Sequence, residues 1–208
     1  MDPPDDAVRL FLIRHGTTLW NSQNRFIGTT DLPLDETGLQ QANLLAARLV
    51  DEPPDIIYSS TQTRAGETAE ILAKSCNLEP IRDARLREMD FGILEGMTVN
   101  EINRSFPAEF ESWTSGNHVP ELKMETTENL LGRSDSFLKQ IWKKHRGKTI
   151  LVVSHAAIMH ALIFLALSLP YKKNWHFFMY NGSISELWLD EKRAVLVRLN
   201  DTYHLKDM

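Results

Sequence analysis

Arg14 and His15 stand side by side where the apolar run 8–13 meets Gly16 and Thr17. A guanidinium next to an imidazole suits one task, holding an anionic group while a ring nitrogen attacks it. Three more such groups follow along the chain. Arg64 lies in Ser59-Ser60-Thr61-Gln62-Thr63-Arg64-Ala65, Glu88 in Arg87-Glu88-Met89-Asp90-Phe91-Gly92, and His155 in Val152-Val153-Ser154-His155. Brought together, the cations would repel one another and lose hydration unless an anion bridged them. Two arginines and two histidines make a phosphate clamp, because guanidinium forks match phosphate oxygens. A neutral histidine can attack phosphorus in line and form a phosphohistidine. The cations would then steady charge on the equatorial oxygens. A carboxylic acid can protonate the leaving alkoxide and afterwards act as base toward water. Glu88 is of that type, and Met89, Phe91 and Ile93 around it favour its neutral form by desolvation.

These groups need elements to position them. Residues 8–14 read as a buried strand, being continuously apolar rather than alternating. A loop rich in Asn, Gly, Thr and Asp occupies about 16–37. Asp35-Glu36-Thr37-Gly38 opens a helix to about 50, with Leu39, Ala42, Leu45, Ala46 and Leu49 as its apolar face. Pro53-Pro54 stops it. A second buried strand spans 55–59 and a second helix 61–74. A long helix is expected over 127–145, a third buried strand over 149–154 and an apolar helix over 156–169. Runs at 175–180, 183–189 and 194–199 read as closing strands, with 190–193 turning the last pair. The aromatic run 175–178 reads as strand and core. Strand–helix alternation predicts an α/β fold with a mainly parallel sheet, whose sites lie beyond the strand carboxyl ends. Arg14-His15, Ser59-Ser60 and His155 all fall at such ends. Residues 89–126 hold only short helical pieces (98–105 and 107–113), which predicts a small helical lid inserted in a single domain, 1–208.

Composition narrows the function classes. The 208 residues are 42% hydrophobic and 25% charged, with a net charge of -5. That charge argues against a nucleic-acid or anionic-membrane partner, both of which need a basic face. Cys76 is the only cysteine, so no intramolecular disulfide forms and a reducing, cytoplasmic setting is expected. Its helical neighbours suggest a packed thiol. The start, Met1-Asp2-Pro3-Pro4-Asp5-Asp6, is the reverse of a signal peptide. The apolar stretch 156–169 is too short for a bilayer. No metal site is expected: His155 and His160 are five apart on a helix, about 140° around its axis, and no cysteine cluster accompanies them.

The ordered motifs resemble those of the histidine phosphatase superfamily, in its phosphoglycerate-mutase-like branch. The matching residues are 12–21 (Leu-Ile-Arg-His-Gly-Thr-Thr-Leu-Trp-Asn), then Gly28, Asp31-Leu32-Pro33-Leu34 and Gly38. Ser59-Ser60, Arg64-Ala65 and Thr68-Ala69 come next, then 88–92, Glu95-Gly96 and Ser154-His155. The resemblance implies a three-layer αβα sandwich. It implies that His15 is the phosphorylated nucleophile, that Arg14, Arg64 and His155 bind the phosphoryl group, and that Glu88 is the proton donor. Asn21, Gly28, Thr29 and the backbone of Ala156 would bind substrate, with no metal or organic cofactor. Two departures concern the pocket. Ala156-Ala157 stand where the family often has Gly-Gly, and Ile27 where phosphatase relatives commonly have glutamine.

Three functions remain open. One is a metal-independent phosphomonoesterase acting on a small phosphorylated metabolite, as monomer or homodimer. The second is a cofactor-dependent phosphoglycerate mutase, for which the family implies a basic insert after the acid. Residues 89–132 carry only Arg104 and Lys123 against eight acids, which favours water as acceptor. The 88–96 motif also looks like the phosphatase type that includes α-ribazole phosphatase and metal-independent phosphoserine phosphatase. The third is an inactive phospho-ligand-binding module, which would be expected to have lost the nucleophile or an arginine.

Overall fold

The computed structural model describes residues 4–171, 177–191 and 194–208. A six-stranded sheet runs through it in the order β3-β2-β4-β1-β5-β6. Its strands are β1 (Val8–Arg14), β2 (Ile56–Ser60), β3 (Ile81–Asp83), β4 (Thr149–Ser154), β5 (Ile184–Leu189) and β6 (Ala194–Asp201). The four strands β3, β2, β4 and β1 are mutually parallel, while β5 runs antiparallel to both β1 and β6.

The continuous apolar runs exist because both sheet faces are covered. Val8, Leu10 and Leu12 of β1, with Ile150 and Val152 of β4, enter one core. That core also holds Phe137 and Ile141 of α6 (Thr127–Lys144) and Ile158 and Leu162 of α7 (Ala156–Ala166). Phe11, Ile13, Leu151 and Val153 point the other way. They meet Leu45 and Leu49 from α2 (Glu36–Arg48) and its end, and Ala65, Ala69 and Leu72 of α3 (Thr63–Cys76). The period-two alternation of the strand thus divides its side chains between two helical layers. This is the three-layer αβα arrangement.

Residues 89–126 form α4 (Val99–Ser105), α5 (Pro107–Thr114) and single 3-10 turns. They contribute Phe91, Leu94, Ile102, Trp113 and Leu122 to the first core. The short helix α1 (Leu19–Ser22) sits inside the segment expected to be loop, held by a capping box between Thr18 and Asn21. β3 also escaped the sequence reading, since three residues with one apolar side chain carry no periodic signal.

One expected strand, 175–180, is not formed by its described residues. Phe177–Tyr180 forms no strand, whereas Trp175 and His176 lie outside the described residues, as do Lys192 and Arg193 of the expected turn. Both edges of β1 are already paired, with β4 and β5, so 177–180 cannot pair beside β1. Side chains take its backbone groups instead: Arg14 donates to the Met179 carbonyl, and the Tyr180 N–H donates to Asn200 Oδ1 at 2.7 Å. Phe178 is 72% exposed, so it is not core. Cys76 is half-buried at the end of α3. Among the described residues no helix is long and apolar enough to cross a membrane.

Candidate active site

The pairing of β1 with β4 sets Arg14 opposite Ser154, and the His15 N–H donates to the Ser154 carbonyl at 3.0 Å. Two histidines therefore leave neighbouring strands at one level. Their ring centroids lie 5.0 Å apart, and both side chains are buried. Gly16 lets the chain turn directly against the start of α2, where any Cβ would strike the Gly38 carbonyl.

His15 Nδ1 lies 2.7 Å from the Gly16 carbonyl. An acceptor there assigns the proton to Nδ1 and leaves the lone pair on Nε2. Arg64 Nε lies 3.3 Å from that Nε2. Burial, then the charges of Arg64 and Arg14, hold the His15 pKa well below its ordinary value, so the ring is neutral. Arg64 is itself fully buried, and desolvation brings its pKa down to about 10, which leaves it charged at neutral pH.

The orientation of Arg64 is fixed by carbonyls. Its two terminal nitrogens donate to Thr30 O at 3.0 Å and Gly28 O at 2.9 Å. Glu95 in turn holds that loop: its carboxylate accepts from the N–H groups of Thr29 and Thr30 at 2.6 and 2.8 Å and from both hydroxyls. A Cβ at Gly28 would collide with the Met89 carbonyl and the Glu95 carboxylate, so only glycine allows this approach. Gln62 joins the parts. Its Nε2 donates to Gly28 O at 2.6 Å and its Oε1 accepts from the Glu88 N–H at 2.8 Å.

Glu88 reaches the site because Ser154 Oγ donates to the Leu86 carbonyl at 2.7 Å, fastening its segment to the end of β4. Its carboxyl accepts from Met89 N at 2.9 Å and from Ala157 N, in the first turn of α7, at 3.2 and 3.3 Å. Desolvation raises its pKa; the Met89 bond, Arg64, Arg14 and the Ala157 bond oppose this without cancelling it. A buried, elevated carboxyl beside a buried neutral imidazole is the pairing that acid and nucleophile roles require.

Arg14 Nε and both ring nitrogens of His155 are buried without a hydrogen-bond partner. The His155 pKa is held well below its ordinary value by burial and by Arg64. Such unpaired polar atoms, donor or acceptor, are costly, on the order of 1–3 kcal/mol each, unless a ligand meets them. An oxyanion with several acceptor oxygens fits the Arg14 Nε–H and the one N–H of a neutral His155, beside His15. Among the described residues no three His, Cys, Asp or Glu side chains cluster as metal ligands. His160 Nε2 lies instead 2.8 Å from the Phe177 carbonyl.

A cavity of about 460 Å³ opens onto this cluster, lined by Arg14, His15, Asn21, Ile27, Glu88 and Ala156 among others. Asn21 Oδ1 is committed to Thr18 and to Asn181 Nδ2, 3.2 Å away. Asn181 Nδ2 also donates to the His15 carbonyl at 3.1 Å. Gly28 and Thr29 do not line the cavity. The Gly28 carbonyl accepts from Arg64, and the Thr29 N–H and hydroxyl donate to Glu95. Gln62 and Asn181 escaped the sequence reading and Glu95 had only its motif, because their contacts link segments 26 to 166 residues apart.

The family model described as histidine phosphatase superfamily, branch 1, matches residues 10–202. The chain is 37% identical over 199 residues to phosphoserine phosphatase 1 of Hydrogenobacter thermophilus, covering 95% of this chain and 94% of that protein. It is 33% identical to a Yersinia pestis protein named probable phosphoglycerate mutase GpmB, covering 95% of each. The α-ribazole phosphatase of Shigella flexneri has a similar structure, with TM-score 0.82, 28% identity and coverage of 93% and 96%.

Proposed function

The chain belongs to the histidine phosphatase superfamily, and from that premise we propose that it is a metal-independent phosphomonoesterase working through a phosphohistidine on His15. The observation that carries this reading is the pair of unpartnered buried groups, Arg14 Nε and the His155 ring, beside the unprotonated Nε2 of His15, to which Arg64 Nε donates.

In the first step Nε2 attacks phosphorus and the bond from phosphorus to the ester oxygen breaks. Glu88 gives its proton to the departing oxygen. Arg14, Arg64 and His155 hold the three equatorial oxygens, whose charge is greatest at the transition state. In the second step water attacks the phosphohistidine, its proton passes to the Glu88 carboxylate, and the phosphorus–nitrogen bond breaks. Inorganic phosphate leaves, with both groups back in their starting protonation states. Residues 89–126 act as the lid of a single domain that excludes bulk water, since Phe91 and Val99 wall the cavity.

The relatives' names supply substrate classes to try, including phosphoserine and α-ribazole phosphate. A mutase reading is kept open by the GpmB similarity. Against it, Glu101 pairs with Arg25 and Glu125 with Arg133, while Glu111, Glu121 and Glu128 are exposed, so the insertion offers no second anion site. The test is hydrolysis of p-nitrophenyl phosphate in excess chelator. Activity lost with chelator and restored by metal would refute the mechanism. Isomerised product from 3-phosphoglycerate with 2,3-bisphosphoglycerate would make the protein a mutase.

A further inference from the structure

We propose that the outer half of the cavity is a subsite for the leaving alcohol, and that it selects an alcohol with a flat apolar body and no ammonium group. This rests on the phosphatase reading above. The cavity, about 460 Å³, is of a size that takes a whole small organic molecule rather than a phosphate alone.

Its outer wall is apolar. Phe26 and Phe91 meet edge to face at 5.1 Å, and both line the space. At the mouth Val99, Phe178 and Tyr180 are 46%, 72% and 59% exposed, and the last two rings stack 6.3 Å apart. Single exposed apolar side chains are ordinary, whereas a cluster continuous with a buried anion site marks a binding surface. A planar group seated against these rings would remove their apolar area from water and gain ring contacts besides.

The charges exclude an ammonium. Among the described residues Glu88 is the only carboxylate lining the cavity, and its oxygens already accept from Met89 and Ala157. An ammonium would meet Arg14, with Glu88 the one cavity carboxylate among the described residues. A second carboxylate on the substrate gains little from Arg25, whose charge is paired with Glu101 and whose Nε and Nη1 already donate to Gln23, Glu101 and the Gly96 carbonyl. A neutral apolar alcohol fits best. The same reasoning ranks phosphoserine, which carries an ammonium, as a poor substrate.

The experiment compares kcat/KM for ethyl phosphate, 2-phenylethyl phosphate and O-phosphoethanolamine, all primary alkyl esters, with O-phosphoserine added. We expect 2-phenylethyl phosphate to exceed ethyl phosphate by about tenfold or more, and both ammonium esters to fall below ethyl phosphate. Phe178→Ser should cut the phenylethyl-to-ethyl ratio by about threefold or more. Its exposure makes misfolding a small risk, and an unchanged melting curve checks that. Equal rates for the three alkyl esters, a preference for phosphoserine, or an unchanged ratio in Phe178→Ser overturns the subsite while leaving p-nitrophenyl phosphate hydrolysis intact. Absence of that hydrolysis removes the phosphatase reading, and the subsite with it.

Discussion

Arg64 Nε points at Nε2 of His15 from 3.3 Å, on the opposite side of the imidazole from the 2.7 Å contact between Nδ1 and the Gly16 carbonyl. The guanidinium can donate only to an unprotonated nitrogen. This contact therefore selects the tautomer whose lone pair is on Nε2. Replacing His15 with Ala should abolish a phosphoenzyme trapped by acid quench. Label retained by that variant would assign the nucleophile elsewhere. Arg64→Lys keeps a charge but loses the fork that grips Gly28 and Thr30, and kcat/KM should fall about 10²-fold or more.

The pH profile follows from two opposed shifts. Activity needs His15 unprotonated, and its pKa lies well below 6.5, so the acid limb lies well below that value. Activity also needs Glu88 protonated, and its pKa is raised above 4.5, so alkyl-ester hydrolysis should decline as pH rises through that raised value. Glu88→Gln should depress ethyl phosphate hydrolysis far more than that of p-nitrophenyl phosphate, whose leaving group needs little protonation. Equal losses on both esters would remove Glu88 from the acid role.

Gln62 spans Gly28 and Glu88, so it couples the orientation of Arg64 to the placement of the acid. Gln62→Leu leaves the Gly28 carbonyl short of one donor and the Glu88 N–H unpaired in a buried setting. Stability should drop by about 1–3 kcal/mol. The informative readout is kinetic: kcat should fall about tenfold with little change in KM, and the alkaline limb should shift. A loss of stability with unaltered kcat and pH profile would leave Gln62 purely structural.

In the proposed mechanism His155 gives up stability for function. Both ring nitrogens are buried without partners. His155→Phe should abolish activity yet raise the unfolding free energy without ligand by about 1 kcal/mol, and vanadate should no longer raise the melting temperature. The pH dependence has a definite sign. His15 and His155 are lowered from 6.5, so between the folded and unfolded values the unfolded chain binds more protons. Their contribution is complete above about 6.5 and is lost as pH falls below it. Glu88, raised from 4.5, acts oppositely, its contribution being lost as pH rises above that value. Removing His155 should flatten the acid-side slope of stability.

The sequence alone determined the parts whose signals are local. Strands β1, β2 and β4 were legible because burial on both faces demands unbroken apolar runs, and α2, α3 and α6 because one-sided burial imposes a helical period. Arg14, His15 and His155 were legible as candidates because motif and strand end coincide, and Arg64 and Glu88 because each stands in its own motif. The tertiary structure alone decided the tautomer of His15, the tying of Gly28 to Arg64 and Gln62, and the turning of Thr29 toward Glu95. It alone placed Phe178 at the mouth of the cavity instead of in a strand. These outcomes rest on hydrogen bonds and ring contacts between distant segments. Residue type sets which bonds a side chain is able to make, but the packing of the sheet and the 89–126 segment chooses the partner.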